Sequence, residues 1–267
     1  MRVARFFGVV GVTFLLAACG GNDPTGNFTG EAYNPVGIVQ WNRDPLAVVF
    51  RADVIGGDRT AQELTNTIPD CTLYGDGRVV YTQQNPNGNL DVIFDIVPDL
   101  EIDTFVNYLT IDKRIFTYDE GYLREVPQSV TPVYSQLTLE VNGEKHITDE
   151  FVSWEPNYYT DILATCKLLA KTPRLFTPQG AWVSAESVEP NTMMATIFWD
   201  ASAAGYSFTG LAAEASKRWI EGNTIAVIWD NVIVPPGGVQ FNDGGEVFMI
   251  SLQVPGVTLN SPAAPAQ

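Results

Sequence analysis

Between Ala47 and Ile55 β-branched and aromatic side chains crowd together and stop at Gly56-Gly57, a pattern that predicts a strand. From Cys71 to Tyr81 two apolar runs flank Asp76-Gly77, a pair that tolerates the positive φ of a tight turn, so this segment reads as a hairpin. Asn87-Gly88 separates it from a further strand, Leu90 to Val97. A second hairpin follows, Gln136 to Val141 and Lys145 to Val152, hinged at Asn142-Gly143. In its first arm Leu137, Leu139 and Val141 alternate with Thr138 and Glu140, which predicts one buried and one wet face.

Three stretches carry helical spacing. Asp99 to Leu109 follows Pro98 and places Ile102, Phe105, Val106 and Leu109 on one stripe, with Asp99, Glu101 and Asp103 favourably near its N-terminus. Asn157 to Lys171 carries Tyr159, Ile162, Leu163, Cys166 and Leu169, and Pro173 ends it. Thr209 to Glu221 carries Leu211, Ala212, Ala215 and Trp219, capped by Ser207 or Thr209 and closed by Gly222. The last third reads as strands: Met194 to Trp199, Ile225 to Val234 and Glu246 to Val254, with turns at Pro235-Pro236-Gly237-Gly238 and Asn242 to Gly245. The fold class expected is α+β, mainly antiparallel sheet with about three helices. Two Pro and a Gly in residues 172–180 suggest a subdomain break within a globular region of residues 37–256, and residues 257–267 read as a loose tail.

The first residues predict an address. Arg2 and Arg5 precede the apolar run Phe6 to Leu16, which is shorter than the roughly 20 residues a spanning helix needs. Leu16-Ala17-Ala18-Cys19 follows and resembles the lipobox of bacterial lipoproteins. The resemblance implies that residues 1–18 are a signal peptide and that Cys19 is acylated and becomes the N-terminus. Two or more acyl chains give stable membrane attachment where one is marginal. Gly20, rather than Asp, after the cysteine points to the outer membrane in a two-membrane bacterium. Residues 19–36, rich in Gly, Asn, Thr and Pro, read as a flexible tether. In a bacterial lipoprotein the Asn27-Phe28-Thr29 sequon carries no weight.

With Cys19 assigned to acylation, Cys71 and Cys166 remain, and an even pair in an exported chain suggests a disulfide. The chain of 267 residues carries 15 Lys+Arg against 31 Asp+Glu, and this acid excess argues against nucleic-acid binding. One His and two bridged Cys leave no material for a zinc site, so neither a metal nor a cofactor is expected.

Templates for catalysis fail one by one. There is no G-x-S-x-G elbow, no S-x-x-K and no P-loop, and Ser207 reads as a helix cap. His146 sits beyond a turn on a strand expected at the surface. Asp76 is the residue a tight turn selects. Its setting, Leu73-Tyr-Gly-Asp-Gly77, resembles hairpins of exported bacterial proteins of unknown function and implies no activity. Asp91, Asp95, Asp99, Glu101 and Asp103 supply oxygens that calcium accepts, but the last three are explained by the helix start. Trp199, Trp219 and Trp229 read as core, while Trp41, Trp154 and Trp182 lie beside turns and stay open as ligand-facing candidates. The expectation is a lipid-anchored extracytoplasmic protein that binds an envelope protein partner or supports an assembly, without catalysis. A hydrolase working through carboxylates and a small-ligand carrier remain as alternatives.

Overall fold

In the computed structural model, which describes residues 39–122, 131–214, 216–233 and 238–266, the first hairpin forms the centre of a sheet. β2 (Cys71–Tyr74) and β3 (Arg78–Gln84) meet through Gly75-Asp76-Gly77, where Gly77 has φ +87°. A side chain on Gly75 would run into the Asn42 carbonyl at 2.0 Å, so both glycines are needed. β1 (Val48–Gly56) pairs with β2, and β4 (Leu90–Ile96) with β3. The second hairpin is β5 (Val133–Val141) and β6 (Glu144–Asp149), turned at Asn142 and Gly143, both with positive φ. With the short β7 (Arg174–Leu175), seven antiparallel strands lie in the order β6-β5-β1-β2-β3-β4-β7.

One face of this sheet packs on α2 (Asp99–Asn107) and α3 (Tyr158–Lys167). Phe50, Leu73, Leu137 and Leu139 from the strands meet Ile102, Phe105 and Ile162 from the helices, and all seven are buried. A disulfide joins Cys71 on β2 to Cys166 on α3 inside this core. The stripe of α2 read from sequence is buried throughout; in α3 Ile162 and Cys166 are buried, with Leu169 just beyond, while Tyr159 and Leu163 are half-buried and Tyr158, outside the stripe, is buried. Beyond Asn107, α2 widens into a π-helical turn, Tyr108–Asp112.

The second sheet contains β8 (Gly180–Ser187), β9 (Ala195–Phe198), β10 (Arg218–Glu221), β11 (Val239–Asp243) and β12 (Glu246–Gln253), in the order β10-β8-β12-β11-β9. Only the β9–β11 pair is parallel. It packs with α5 (Phe208–Glu214) and α6 (Asn223–Val232) into a second core. That core also contains Tyr74, Val80 and Val92 from the opposite face of the first sheet, so the two sheets share it. Residues 172–180 are where the chain leaves β7 for β8, and Phe176 stacks edge-on with both Phe94 and Trp229 across the crossing. The short α1 (Ala61–Asn66), held by a Thr60–Glu63 capping box, adds a tie. Its Gln62 and Asn66 amides donate to the Ile250 carbonyl on β12.

The α+β class with mostly antiparallel strands agrees with the sequence reading, but the helix count does not. Six α-helices are present among the described residues: the five above and α4 (Ala201–Ala204). The helix expected over Thr209 to Glu221 ends at Glu214, and Arg218–Glu221 is the edge strand β10. The strand expected over Ile225 to Val234 is α6. Its β-branched composition hides a helical stripe, Ile225, Ile228, Trp229 and Ile233, all buried. Gly222, expected to close a helix, precedes this one instead. The chain beyond Pro255 is not loose at its start: Val257 and Thr258 are buried, and the Leu259 amide donates to Thr67. No helix among the described residues is long and apolar enough to cross a membrane.

Candidate functional site

The face of the first sheet that looks away from α2 and α3 joins the second core over β2, β3 and β4 and at Val48, the first residue of β1. Over β1, β5 and β6 it opens into a cleft of about 530 Å³. Strand alternation sets its lining. Phe50 and Ala52 point into the first core, so Arg51 and Asp53 point the other way. Gln136, Thr138 and Glu140 of β5 and Lys145 and Ile147 of β6 continue the same surface. Residues 42–48 form one wall, and Leu259 and Asn260 of the C-terminal segment reach the other.

Two polar groups, one on β1 in the cleft lining and one beside it on β2, are short of partners. The Arg51 Nε is buried and has no hydrogen-bond partner among the described residues. Thr72 stands directly opposite on β2; its hydroxyl oxygen also lacks a partner in strict geometry, and both side chains face the Tyr74 hydroxyl. An unmatched buried donor costs about 1–3 kcal/mol, so such a pair calls for a reason. Asp53 is 5% exposed. Burial pushes its carboxyl up to about 6, against the opposing charge of Arg51 and with help from Asp70. No cation lies within salt-bridge distance of it among the described residues.

The cleft holds two carboxylates, Asp53 and Glu140. Asp53 stands opposite Gln136, and Glu140 is four residues further along β5. That offset is about 13 Å at the rise of a strand. Glycosidase pairs hold their carboxyl groups about 5–9.5 Å apart, so Asp53 and Glu140 serve different ends of the cleft.

No family model, no curated protein and no solved structure matches the chain.

The acidic residues singled out from sequence do not converge. Asp95 accepts from the Thr172 amide and hydroxyl, and these bonds hold its carboxyl below the ordinary range against the burial that raises it. Asp91 accepts from Asn85, Asp99 from Arg43, and Glu101 faces Lys171. Asp76 is the turn residue expected, bonded to Arg78. Among the described residues no three His, Cys, Asp or Glu side chains could hold a metal ion. Ser207 caps α5, accepting from the Gly210 amide.

His146 differs from the expectation of a surface position. It is half-buried, its Nε2 contacts the Ile115 and Tyr118 carbonyls at 3.0 and 2.8 Å, and its ring packs on Phe116. Carbonyl partners require that this nitrogen carry the proton. His146 thus pins the loop after α2 to β6.

The tryptophans serve packing. Trp229 is buried, and Trp199 packs on Phe208. Trp219 stands on β10, not on a helix, and meets Trp182 edge-on. Trp41 donates to the Gly75 carbonyl, and Trp154 donates to Thr148 and stacks on Tyr159. Cys19 lies outside the described residues.

A second, largely apolar cleft of about 870 Å³ lies between α1, residues 191–194, the end of α6, and Val239 of β11 and Met249 of β12. Met193, Met194 and Met249 line it, which are all the methionines after Met1. Ile68, Leu90, Val232, Ile233 and Val239 add to its apolar lining.

The sequence reading passed over Arg51 and Asp53. Their signal is present as two opposite charges at alternate positions of a strand whose other positions are apolar. Alternation alone assigns such residues to solvent. Asp53 is buried instead, in a cleft edged by residues 42–48 just before it and by residues 259–260, a segment distant from it in sequence.

Proposed function

We propose that the protein is a lipid-anchored, extracytoplasmic binding protein of the bacterial envelope that holds a ligand or partner without turning it over. The observation that carries the address is the Cys71–Cys166 bridge, buried in the first core. Such bridges persist in oxidising compartments and are rare in the cytosol. The leader with Leu16-Ala17-Ala18-Cys19 supports the same address and supplies the anchor. Binding rather than catalysis is supported by the commitment of Asp76, Asp91, Asp95, Asp99 and Ser207 to local hydrogen bonds.

The test is metabolic labelling with an alkynyl palmitate analogue in a bacterial host, comparing the native chain with Cys19→Ser. Label on the native chain alone, with the variant released into the water-soluble fraction, is the expected result. Equal labelling of both, or of neither, contradicts the anchor.

The methionine-lined cleft favours a second reading, a carrier for an apolar small molecule, because flexible thioether side chains adapt to varied apolar shapes. Saturable uptake of the fluorophore N-phenyl-1-naphthylamine, abolished by Met194→Lys, is what this reading expects. Uptake that ignores the substitution removes it.

A further inference from the structure

The polar cleft over β1, β5 and β6 has the shape and charge of a built site. Its volume of about 530 Å³ falls within the range of small-molecule pockets, about 300–1,000 Å³. Its lining carries two cations, Arg51 and Lys145, and two anions, Asp53 and Glu140. Arg51 and Asp53 share one face of β1, two residues apart. Lys145 and Glu140 stand directly opposite each other on β6 and β5. Thr138 stands opposite Arg51 and Gln136 opposite Asp53, and they offer both donors and acceptors.

We propose that this cleft binds a small zwitterion, an α-amino acid or a close relative, with its carboxylate on Arg51 and its ammonium on Asp53. The inference rests on the reading of the protein as a binding protein and names its ligand class. Arg51 lines the cleft and its guanidinium also faces the Tyr74 hydroxyl, while its Nε has no acceptor among the described residues; a planar carboxylate is the partner a guanidinium fork prefers. Asp53 lacks a cation, and an ammonium supplies three donors to it and to Thr138 or Gln136. A simple anion would meet the repulsion of Asp53 and Glu140, and a simple cation that of Arg51 and Lys145. A neutral sugar is disfavoured because, among the described residues, no aromatic ring lines the cleft to cover its C–H face.

The experiment is titration calorimetry of the full acylated chain, purified in detergent, against the twenty L-α-amino acids. For each one that binds, the N-acetyl derivative and the methyl ester follow. The expected result is saturable binding of at least one amino acid, weakened at least about tenfold by removing either ligand charge. Arg51→Gln and Asp53→Asn, each checked for native far-UV circular dichroism, should weaken it similarly. Because the derivatives are tested on the native chain, misfolding of a variant does not obscure the outcome. Absence of any saturable binding overturns the proposal. So does an N-acetyl derivative that binds as well as its parent, which marks an anion site. Acyl labelling reads the address independently, so a failure here leaves the anchored-protein reading standing.

Discussion

Cys71 on β2 and Cys166 on α3 are bridged across 95 residues of chain, and both are fully buried. The bridge ties the centre of the first sheet to the helix packed on it. In the chain-entropy model, closing a loop of this length stabilises the fold by about 4–5 kcal/mol. Cys71→Ser with Cys166→Ser should lower the free energy of unfolding in urea by an amount of this order. A change under about 1 kcal/mol would show that the unfolded chain gains nothing from the cut.

Asp53 titrates where few carboxylates do. Its carboxyl is pushed up to about 6 by burial, so the folded chain holds a proton that the unfolded chain has lost. Stability from this group is complete below about pH 4 and falls as pH rises through 6, by an amount on the order of 3 kcal/mol. Asp53→Asn should remove that slope and raise stability at pH 7. Urea denaturation of both chains at pH 5 and pH 7.5 reads it directly. Parallel curves for the two would contradict the assignment.

Asp149 is fully buried, and its carboxylate accepts from the Gly121, Tyr122 and Phe151 amides. Removing the acceptor strands buried donors, each worth about 1–3 kcal/mol. Asp149→Ala should destabilise the chain by more than about 3 kcal/mol, and Asp149→Asn by less, because its carbonyl oxygen retains part of the acceptor capacity. Denaturant midpoints for the pair check the order.

Val80 on β3 and Phe241 on β11 belong to one buried cluster although they sit in different sheets. Val80→Ala and Phe241→Ala should therefore each shift a single cooperative transition, the first by about 1–2 kcal/mol and the second by about 3–5. Two separable transitions, only one of them moved by each substitution, would mean that the sheets unfold apart.

The elements that local chemistry dictates were legible in the sequence. Asn142-Gly143 and Asp76-Gly77 set two turns and with them the strand pairs. The stripe of α2 is its buried face, and Ile162 and Cys166 of the α3 stripe are buried. The disulfide followed from counting cysteines. What failed did so where two periods overlap. Ile225 to Val234 satisfies a helical stripe and a β-branched run at once, and packing against the second sheet chose the helix. Trp219 fits a helical register that the chain abandons after Glu214 to form an edge strand on β8. The candidate site was hidden for another reason. Arg51 and Asp53 look like solvent-facing positions of a strand, and only the tertiary fold buries Asp53 and closes walls around the pair.

Intact mass of the protein purified from a bacterial envelope, alkylated with and without prior reduction, tests the anchored, extracytoplasmic reading most directly. The expected species begins at Cys19, carries two or three acyl chains, and gains two alkyl groups only after reduction. A chain without acyl mass that takes up both alkyl groups before reduction would contradict it.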